Sequence, residues 1–229
     1  MNASLLSTLV AALPRFAAGA SLTVQLVTLS LLVGLVLATV VAVMRLSHLP
    51  PLRWLARGYI HVFRSTPLLV QIFLIYYGLG QFDAVRQSVL WPLLREPYWC
   101  AIIAFTLNTG AYTAEIMRGG IEAVPHGQIE AAKACGMNGS LLFRRIVLPQ
   151  AFRLALPAYG NEIILMLQGS ALASTITLMD LTGVAKDIAS RTYQPIEAFC
   201  LAGAIYLGMS FLITRGVQLA ERRLSPARR

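Results

Sequence analysis

Charged residues are scarce in this 229-residue chain. They make up 13% of it, whereas a typical soluble domain has about 25%. They are also unevenly spaced, and residues 16–44 carry no charge at all. Because about 20 apolar residues suffice to cross a bilayer, this scarcity excludes an ordinary soluble domain and predicts an integral membrane protein.

Several chemical signatures are also missing. The three cysteines are odd in number and far apart, and the three histidines do not cluster, so we expect no disulfide framework and no metal site. The spans hold too few ionisable groups for an intramembrane enzyme, and no catalytic residue is predicted. No G-x-x-x-x-G-K-[ST] loop occurs, so the chain itself is expected to bind no nucleotide or other cofactor.

Apolar runs divide the chain into spans. Continuous apolar runs in lipid indicate helices, because backbone polar groups there must be satisfied internally. The N-terminal run is too long for a signal peptide and is interpreted as a retained span. We therefore predict an all-α membrane protein, a single domain over residues 1–229, with five transmembrane helices at about residues 16–44, 57–82, 97–117, 154–179 and 198–214.

The distribution of basic residues predicts the orientation. Of the 19 basic residues, 14 fall in three segments, namely the loop after the first span, the segment between spans three and four, and the C-terminal tail. Basic residues near spans mark the cytoplasmic side. We therefore expect the N-terminus outside and the C-terminus in the cytoplasm, and the net charge of +9 indicates orientation in the bilayer, with no nucleic acid as partner.

The segment at residues 122–149 is the most informative part of the chain. Pro125 and Gly127 open it, good helix formers follow, and Gly136 stands where a left-handed helix stop would lie. This predicts a cytoplasmic helix of about ten residues, too short to be stable alone. Such a helix suits insertion into a groove of a partner, although an ordinary connector would show many of the same residues.

The spacing of this segment carries a family resemblance. It resembles the EAA signature of membrane subunits of bacterial ATP-binding-cassette importers, and over about residues 21–224 the chain is similar to permease subunits for polar amino acids, nearest the histidine, arginine and octopine/nopaline branch. The signature positions are Glu130, Ala131, Ala132, Gly136, Ile146, Leu148 and Pro149, and three further stretches support it: YIHVFRSTPLLVQIFLIYYGLGQF, AYTAEIMRGGIEAVPHGQIEAA and LPAYGNEIILML.

The resemblance implies an assembly in a bacterial inner membrane. Two permease subunits of the type I importer fold pair, here a related partner in preference to an identical copy, and two cytoplasmic ATPase subunits that use ATP and Mg bind beneath them. An extracytoplasmic binding protein delivers the amino acid. The short helix would be a coupling helix that docks on the ATPase, and the residues expected to couple are Gly127, Glu130, Ala131, Ala132, Gly136, Leu148 and Pro149. A bulky residue at Ala131 or Ala132 should impair docking more than folding.

Polar residues within the spans are candidates for the substrate pathway. A carboxylate at membrane depth is costly and functional by default, so Glu162 is a natural partner for a cationic substrate. A structural role near the cytoplasmic surface is the alternative for Glu162, and pairing with Arg118 is the alternative for Glu115. The full candidate set is Glu162, Asn161, Glu115, Gln71 and Ser170.

The substrate expected from these features is a polar, basic amino acid of the arginine, histidine or lysine type. Many relatives carry a lysine where this chain has Gln168, which is compatible with a basic substrate. An opine or another polar amino acid is the alternative. A stand-alone channel or an intramembrane enzyme is a remote one.

Overall fold

The chain folds into a bundle of helices. The computed structural model describes residues 3–224, with side chains from residue 11, and this part contains no strand. The α-helices are α1 (Ala3–Leu46), α2 (Pro50–Ser65), α3 (Leu68–Phe73), α4 (Asp83–Arg86), α5 (Trp91–Leu94), α6 (Pro97–Glu122), α7 (His126–Ala134), α8 (Gly139–Leu142), α9 (Leu148–Gly169), α10 (Leu181–Thr192) and α11 (Pro195–Leu224).

Helix length and hydropathy identify the segments able to cross a membrane. Ala11–Leu46 and Pro195–Leu224 qualify as continuous helices, and two bent pairs, Pro50–Ser65 with Leu68–Gln81 and Gly139–Ile176 with Leu181–Thr192, raise the number to four among the described residues. The predicted third span corresponds to α6, which at 26 residues is about 39 Å long. Half of its residues are buried, and polar Asn108, Thr109 and Thr113 are among them, which lowers its hydropathy.

The structure differs from the predicted second span. Residues 57–82 do not form one helix, because α2 ends at Ser65 and Thr66 is extended before Pro67. A proline has no N–H to continue a helix and disfavours helical geometry in the residue before it. The next segment runs from Leu68 through a π-helical turn to Gln81, and it is bent by 105° from α2.

The fourth span also differs at its boundaries. Its helix, α9, begins at Leu148, six residues before the predicted start, directly after a π-helical segment over Phe143–Val147, and Pro149 lies in its first turn. Beyond Gly169 the helix tightens into a 3-10 segment that ends at Ile176, and Thr177 then adopts φ +70°.

The core lies between α1, α6 and α9. A central cluster of buried side chains includes Leu26 of α1, Phe105 of α6 and Leu167 of α9. At Gly34 an added Cβ would lie 2.5 Å from Thr109 Cγ2, and this close approach shows why a glycine stands there. The glycines of this interface therefore serve tight packing, which small residues permit between helices in lipid.

The end of the bundle that carries α10 is fixed by a polar network. Asp180 is fully buried and caps α10, accepting from the amides of Thr182 (3.2 Å) and Gly183 (3.1 Å). The amide of Leu181 donates to Thr23 Oγ1 of α1 (3.1 Å). These bonds join α10 to α1, so the segment between α9 and α11 is held to the bundle.

Candidate functional site

The predicted cytoplasmic helix is α7, with nine residues. It stops at Gly136, whose φ of +81° lies in the left-handed region. The Gly136 amide donates to the Lys133 carbonyl (2.9 Å), and the Met137 amide donates to the Ala132 carbonyl (3.1 Å). This pair of bonds satisfies the last carbonyls of a helix, so the predicted helix and its glycine stop are confirmed.

One side of α7 packs on a small apolar cluster of its own. Ala132 is 5% exposed and contributes to a cluster with Val124, Leu142, Val147 and Ala151. An added side chain at Ala132 would overpack this cluster, so its burial favours an effect on folding, which the expectation for this position did not include. Ala132 holds α7 to the loop.

The other side of α7 is exposed. Gly127, Glu130 and Ala131 all lie on the surface, and a Cβ added at Gly127 would meet no atom within 4 Å. Glu130 takes part in no ion pair among the described side chains. A carboxylate beside two small residues thus forms a flat surface that leaves room for a partner.

Leu148 and Pro149 do not lie on α7 but in the first turn of α9. Leu148 is 45% exposed and borders an apolar cavity of about 320 Å³ between α1, α6 and α9. Pro149 is exposed. Val147 belongs to the same buried cluster as Ala132 and immediately precedes the first turn of α9. The cluster therefore connects α7 to the start of α9.

Glu162 lies inside the bundle. It is 5% exposed, and its Oε1 accepts a hydrogen bond from Thr109 Oγ1 of α6 at 2.8 Å. It takes part in no ion pair among the described side chains. Since α9 begins at Leu148, Glu162 lies about 21 Å along the helix from its first residue.

Asn161 of α9 and Ser170, the first residue of the 3-10 segment after α9, were also predicted to line the pathway, and both differ from Glu162. Asn161 is exposed, on a different side of the helix from its buried neighbour. Ser170 is fully buried, and its hydroxyl donates to the Leu167 carbonyl at 2.6 Å, within its own helix. The structure therefore does not bring these two side chains together with Glu162.

The side chain of Gln71 forms hydrogen bonds with the segment that joins α2 to α3. Its Nε2 donates to the Phe63 carbonyl (2.9 Å), to the Thr66 carbonyl (3.1 Å) and to Thr66 Oγ1 (2.8 Å). Its Oε1 accepts from Asn108 Nδ2 (3.0 Å). Gln71 thus satisfies backbone groups that the break exposes, and both ends of its amide have internal partners.

Glu115 is held by arginines near the end of α6. Arg118 donates to its Oε2 at 2.9 and 2.7 Å, and Arg45 of α1 lies 3.7 Å from its Oε1. Arg118 also pairs with Glu122. The alternative of pairing with Arg118 is the one that the geometry supports.

Two partners escaped the sequence analysis. Thr109, which bonds Glu162, and Thr66, which bonds Gln71, are threonines within or beside spans, and nothing in their spacing distinguishes them from other threonines. A sequence signal exists only for Thr66, since it precedes a proline and therefore favours extended geometry. The pair of Thr109 and Glu162 depends on how α6 packs against α9, whereas the bond between Thr66 and Gln71 depends on the local break between α2 and α3.

These features define a class of protein. A bundle of long apolar helices holds a buried carboxylate, and a short helix on a loop presents a flat surface outside the bundle, an arrangement typical of a membrane-embedded transport subunit driven by a partner. The chain matches, over residues 6–226, the family described as binding-protein-dependent transport system inner membrane component. It belongs to that family.

Curated relatives agree with this assignment. The chain is 57% identical over 212 residues to the octopine transport system permease protein of Rhizobium meliloti, covering 93% of this chain and 86% of the relative. It is 43% identical over 206 residues to the histidine/lysine/arginine/ornithine transport system permease protein of Salmonella typhimurium, covering 90% and 88%. A solved amino acid ABC transporter with histidines is 38% identical, with a TM-score of 0.87 and coverage of 97% of this chain and 100% of that one. The type I permease fold and a function in amino acid or opine transport follow.

Proposed function

We propose that this chain forms the membrane pathway of an ATP-driven importer for a basic amino acid, and that α7 couples it to a cytoplasmic ATPase. The observation that supports the coupling role is that one side of α7 is buried and the other is exposed. Ala132 anchors the helix on its own apolar cluster, whereas Gly127, Glu130 and Ala131 stay exposed. An exposed helix face of this kind suits a groove on a partner.

A displacement of α7 would be transmitted to α6 and α9 through close packing contacts. The α7 cluster contains Val147, one residue before α9, and Ala151, inside its first turn. At Gly120 near the end of α6, an added Cβ would lie 2.7 Å from the Ala151 carbonyl, so α6 and α9 touch there without intervening side chains. Rigid contacts of this kind carry a displacement into both helices, because packed interfaces resist continuous deformation.

The same proposal includes the partners. Two ATPase subunits would bind ATP and Mg, a second and related permease would complete the pathway, and an extracytoplasmic protein would deliver the substrate. The N-terminus would lie outside and the C-terminus in the cytoplasm, since the basic residues gather on and near α2, in the segment around α7 and in the C-terminal tail. The relatives' names, which refer to permease proteins of transport systems, support a multi-subunit assembly.

Glu162 is the proposed partner of the substrate's cationic group. It is a buried carboxylate with a single neutral hydrogen-bond partner, Thr109, and without an ion pair among the described residues. A buried carboxylate without an ion pair costs free energy, and a bound cationic substrate would offset that cost. Octopine transport by a relative that is 57% identical makes an opine the second candidate substrate.

Charge reversal on α7 tests the coupling. We expect Glu130→Arg to lose co-purification of the ATPase and ATP-driven uptake, while the melting temperature of the purified permease stays the same because Glu130 makes no internal ion pair. Glu221→Arg, at the far end of α11, is the matched control and should retain both. Wild-type levels of ATPase binding and uptake in Glu130→Arg would contradict the coupling role.

A substrate scan tests the specificity. In liposomes holding the complete transporter, ATP hydrolysis should respond to arginine, lysine, histidine, ornithine or octopine delivered by the binding protein, and not to neutral amino acids alone. Glu162→Gln keeps an acceptor for Thr109 but removes the charge, so we expect at least about a tenfold rise in KM for the cationic substrate. Glu96→Gln, an exposed carboxylate, is the control, and equal KM values in both variants would reject Glu162 as the partner.

A further inference from the structure

Helix α2 has the form of a helix that lies along a membrane surface. It is 16 residues long and is bent by 105° from the apolar segment that follows it. Leu52, Leu55 and Val62 recur at helical spacing and are 36%, 64% and 54% exposed, so one side of α2 presents apolar side chains to its surroundings. An amphipathic helix of this kind buries its apolar side at the boundary between headgroups and acyl chains.

The opposite side of α2 is basic and borders a cavity. Arg57, His61 and Arg64 follow one another at helical spacing along this side, and Arg45 joins them from the last turn of α1. The cavity measures about 390 Å³ and is also lined by Tyr112 of α6.

Two guanidinium groups of this cavity, those of Arg57 and Arg64, are held over aromatic rings without an ion pair among the described side chains, whereas Arg45 lies 3.7 Å from Glu115 Oε1. Arg57 stacks over the Trp54 ring at 5.6 Å, and Arg64 over the Tyr112 ring at 5.1 Å. Neither arginine forms an ion pair among the described side chains. The lining carboxylate, Glu115, is already bonded to Arg118, so the cavity retains a net positive charge.

We propose that this cavity binds the phosphate headgroup of an anionic phospholipid in the leaflet along which α2 lies. Guanidinium groups pair with phosphate through two parallel N–H···O bonds. Basic pockets between helices on the cytoplasmic side of a membrane take such headgroups, and that leaflet carries the negative surface potential. Trp54, 69% exposed beside Arg57, has the amphipathic ring found at membrane interfaces.

The apolar side of α2 distinguishes a lipid from a soluble anion. A helix with its side chains is about 10–12 Å across, so a phosphate held by Arg57 and Arg64 lies within one helix diameter of Leu55 and Val62. The acyl chains attached to that phosphate then cover side chains that are otherwise exposed. Free phosphate would satisfy the arginines but leave the apolar side uncovered.

Trp54 provides a local readout. The chain has three tryptophans, so the full chain carrying Trp91→Phe and Trp99→Phe keeps Trp54 as a single fluorophore. In phosphatidylcholine bilayers, we expect brominated phosphatidylglycerol to quench Trp54 at a lower mole fraction than brominated phosphatidylcholine, by about fivefold for each participating guanidinium. Equal quenching by the two lipids in this parent protein would overturn the proposal.

Substitutions locate the preference. Arg57→Gln with Arg64→Gln should bring the ratio of the two quenching midpoints close to one, whereas Lys133→Gln with Arg144→Gln removes the same charge from exposed positions in the α7 region and should leave the ratio unchanged. Arg57→Lys with Arg64→Lys keeps the charge and should retain most of the preference, which separates headgroup binding from misfolding. An equal loss in the Lys133 and Arg144 variant would mean diffuse electrostatics, and abolition of the preference by inorganic phosphate would mean a soluble-anion site; either result would reject the lipid assignment.

Discussion

Two interruptions of the helical chain are handled in opposite ways. Between α2 and α3 the chain turns at Thr66 and Pro67, and the side chains of Gln71 and Asn108 reach in to bond the backbone of the break. At the end of α7 the chain turns at Gly136, and the backbone closes the helix by itself through amides of Gly136 and Met137.

The difference reflects the two surroundings. The break between α2 and α3 is bonded by the buried side chains of Gln71 and Asn108, and a buried carbonyl without access to water needs polar partners from neighbouring segments. At the exposed end of α7 the glycine stop suffices, and water satisfies the remaining groups. Polar residues of the first region are therefore committed to structure, whereas those on the exposed side of α7 remain available to a partner.

The largest effect is expected at Gln71. Gln71→Leu would leave the Thr66 carbonyl and the Asn108 amide without this partner, at about 1–3 kcal/mol for each orphaned buried group. We expect a marked fall in the melting temperature in detergent. Gln168→Leu, at an exposed glutamine of α9, is the matched control and should melt like wild type. If the two variants melt alike, the break at Thr66 does not depend on Gln71.

The next effect separates the two sides of α7. Ala132→Leu should destabilise the loop by about 1–3 kcal/mol because it overpacks the α7 cluster. Ala131→Leu, one residue earlier and exposed, should leave the melting temperature unchanged and reduce ATPase co-purification. Thermal unfolding and pull-down of the ATPase measure the two effects, and a reversed pattern would show that the assignment of the two sides is wrong.

The smallest effect concerns the glycines of α7. Gly136→Ala forces a Cβ into the left-handed region and should cost about 1–2 kcal/mol. Gly127→Ala lies within the helix in open space and should stabilise it by about 0.5–1 kcal/mol. Hydrogen–deuterium exchange of the α7 amides should therefore change in opposite directions, and protection that changes in the same direction in both variants would contradict the glycine stop.

Local signals predicted α7 well and the second and fourth spans less well. The glycine stop at Gly136 and the helix before it depend on nearest neighbours, so sequence was sufficient. The second span was drawn through Thr66 and Pro67, although a proline after a threonine already favours extended backbone. The predicted fourth span begins at residue 154, just after the charged Arg153, whereas its helix begins at Leu148.

The candidate site shows the same division at the level of single residues. Glu162 was predicted as an unusual buried carboxylate from its place in an apolar run, and it is buried. Gln71 and Ser170 were equally good candidates from sequence. In the structure Gln71 donates to Phe63 and Thr66, and Ser170 donates to Leu167. Sequence cannot distinguish these cases, because the partners are set by a neighbouring helix or by a local break.

The sequence by itself determined that the chain is a helical membrane protein, that it carries an EAA segment, and that its basic residues gather in three segments. Apolar length, glycine stops and charge counts are local properties of the sequence. Only the tertiary structure decided which polar side chains have hydrogen-bond partners inside the protein. In the structure Ala132 is buried and Ala131 is exposed. Gln71 bonds the break between α2 and α3, and Glu162 accepts its hydrogen bond from Thr109. Those outcomes depend on how distant helices pack, which local sequence patterns do not encode.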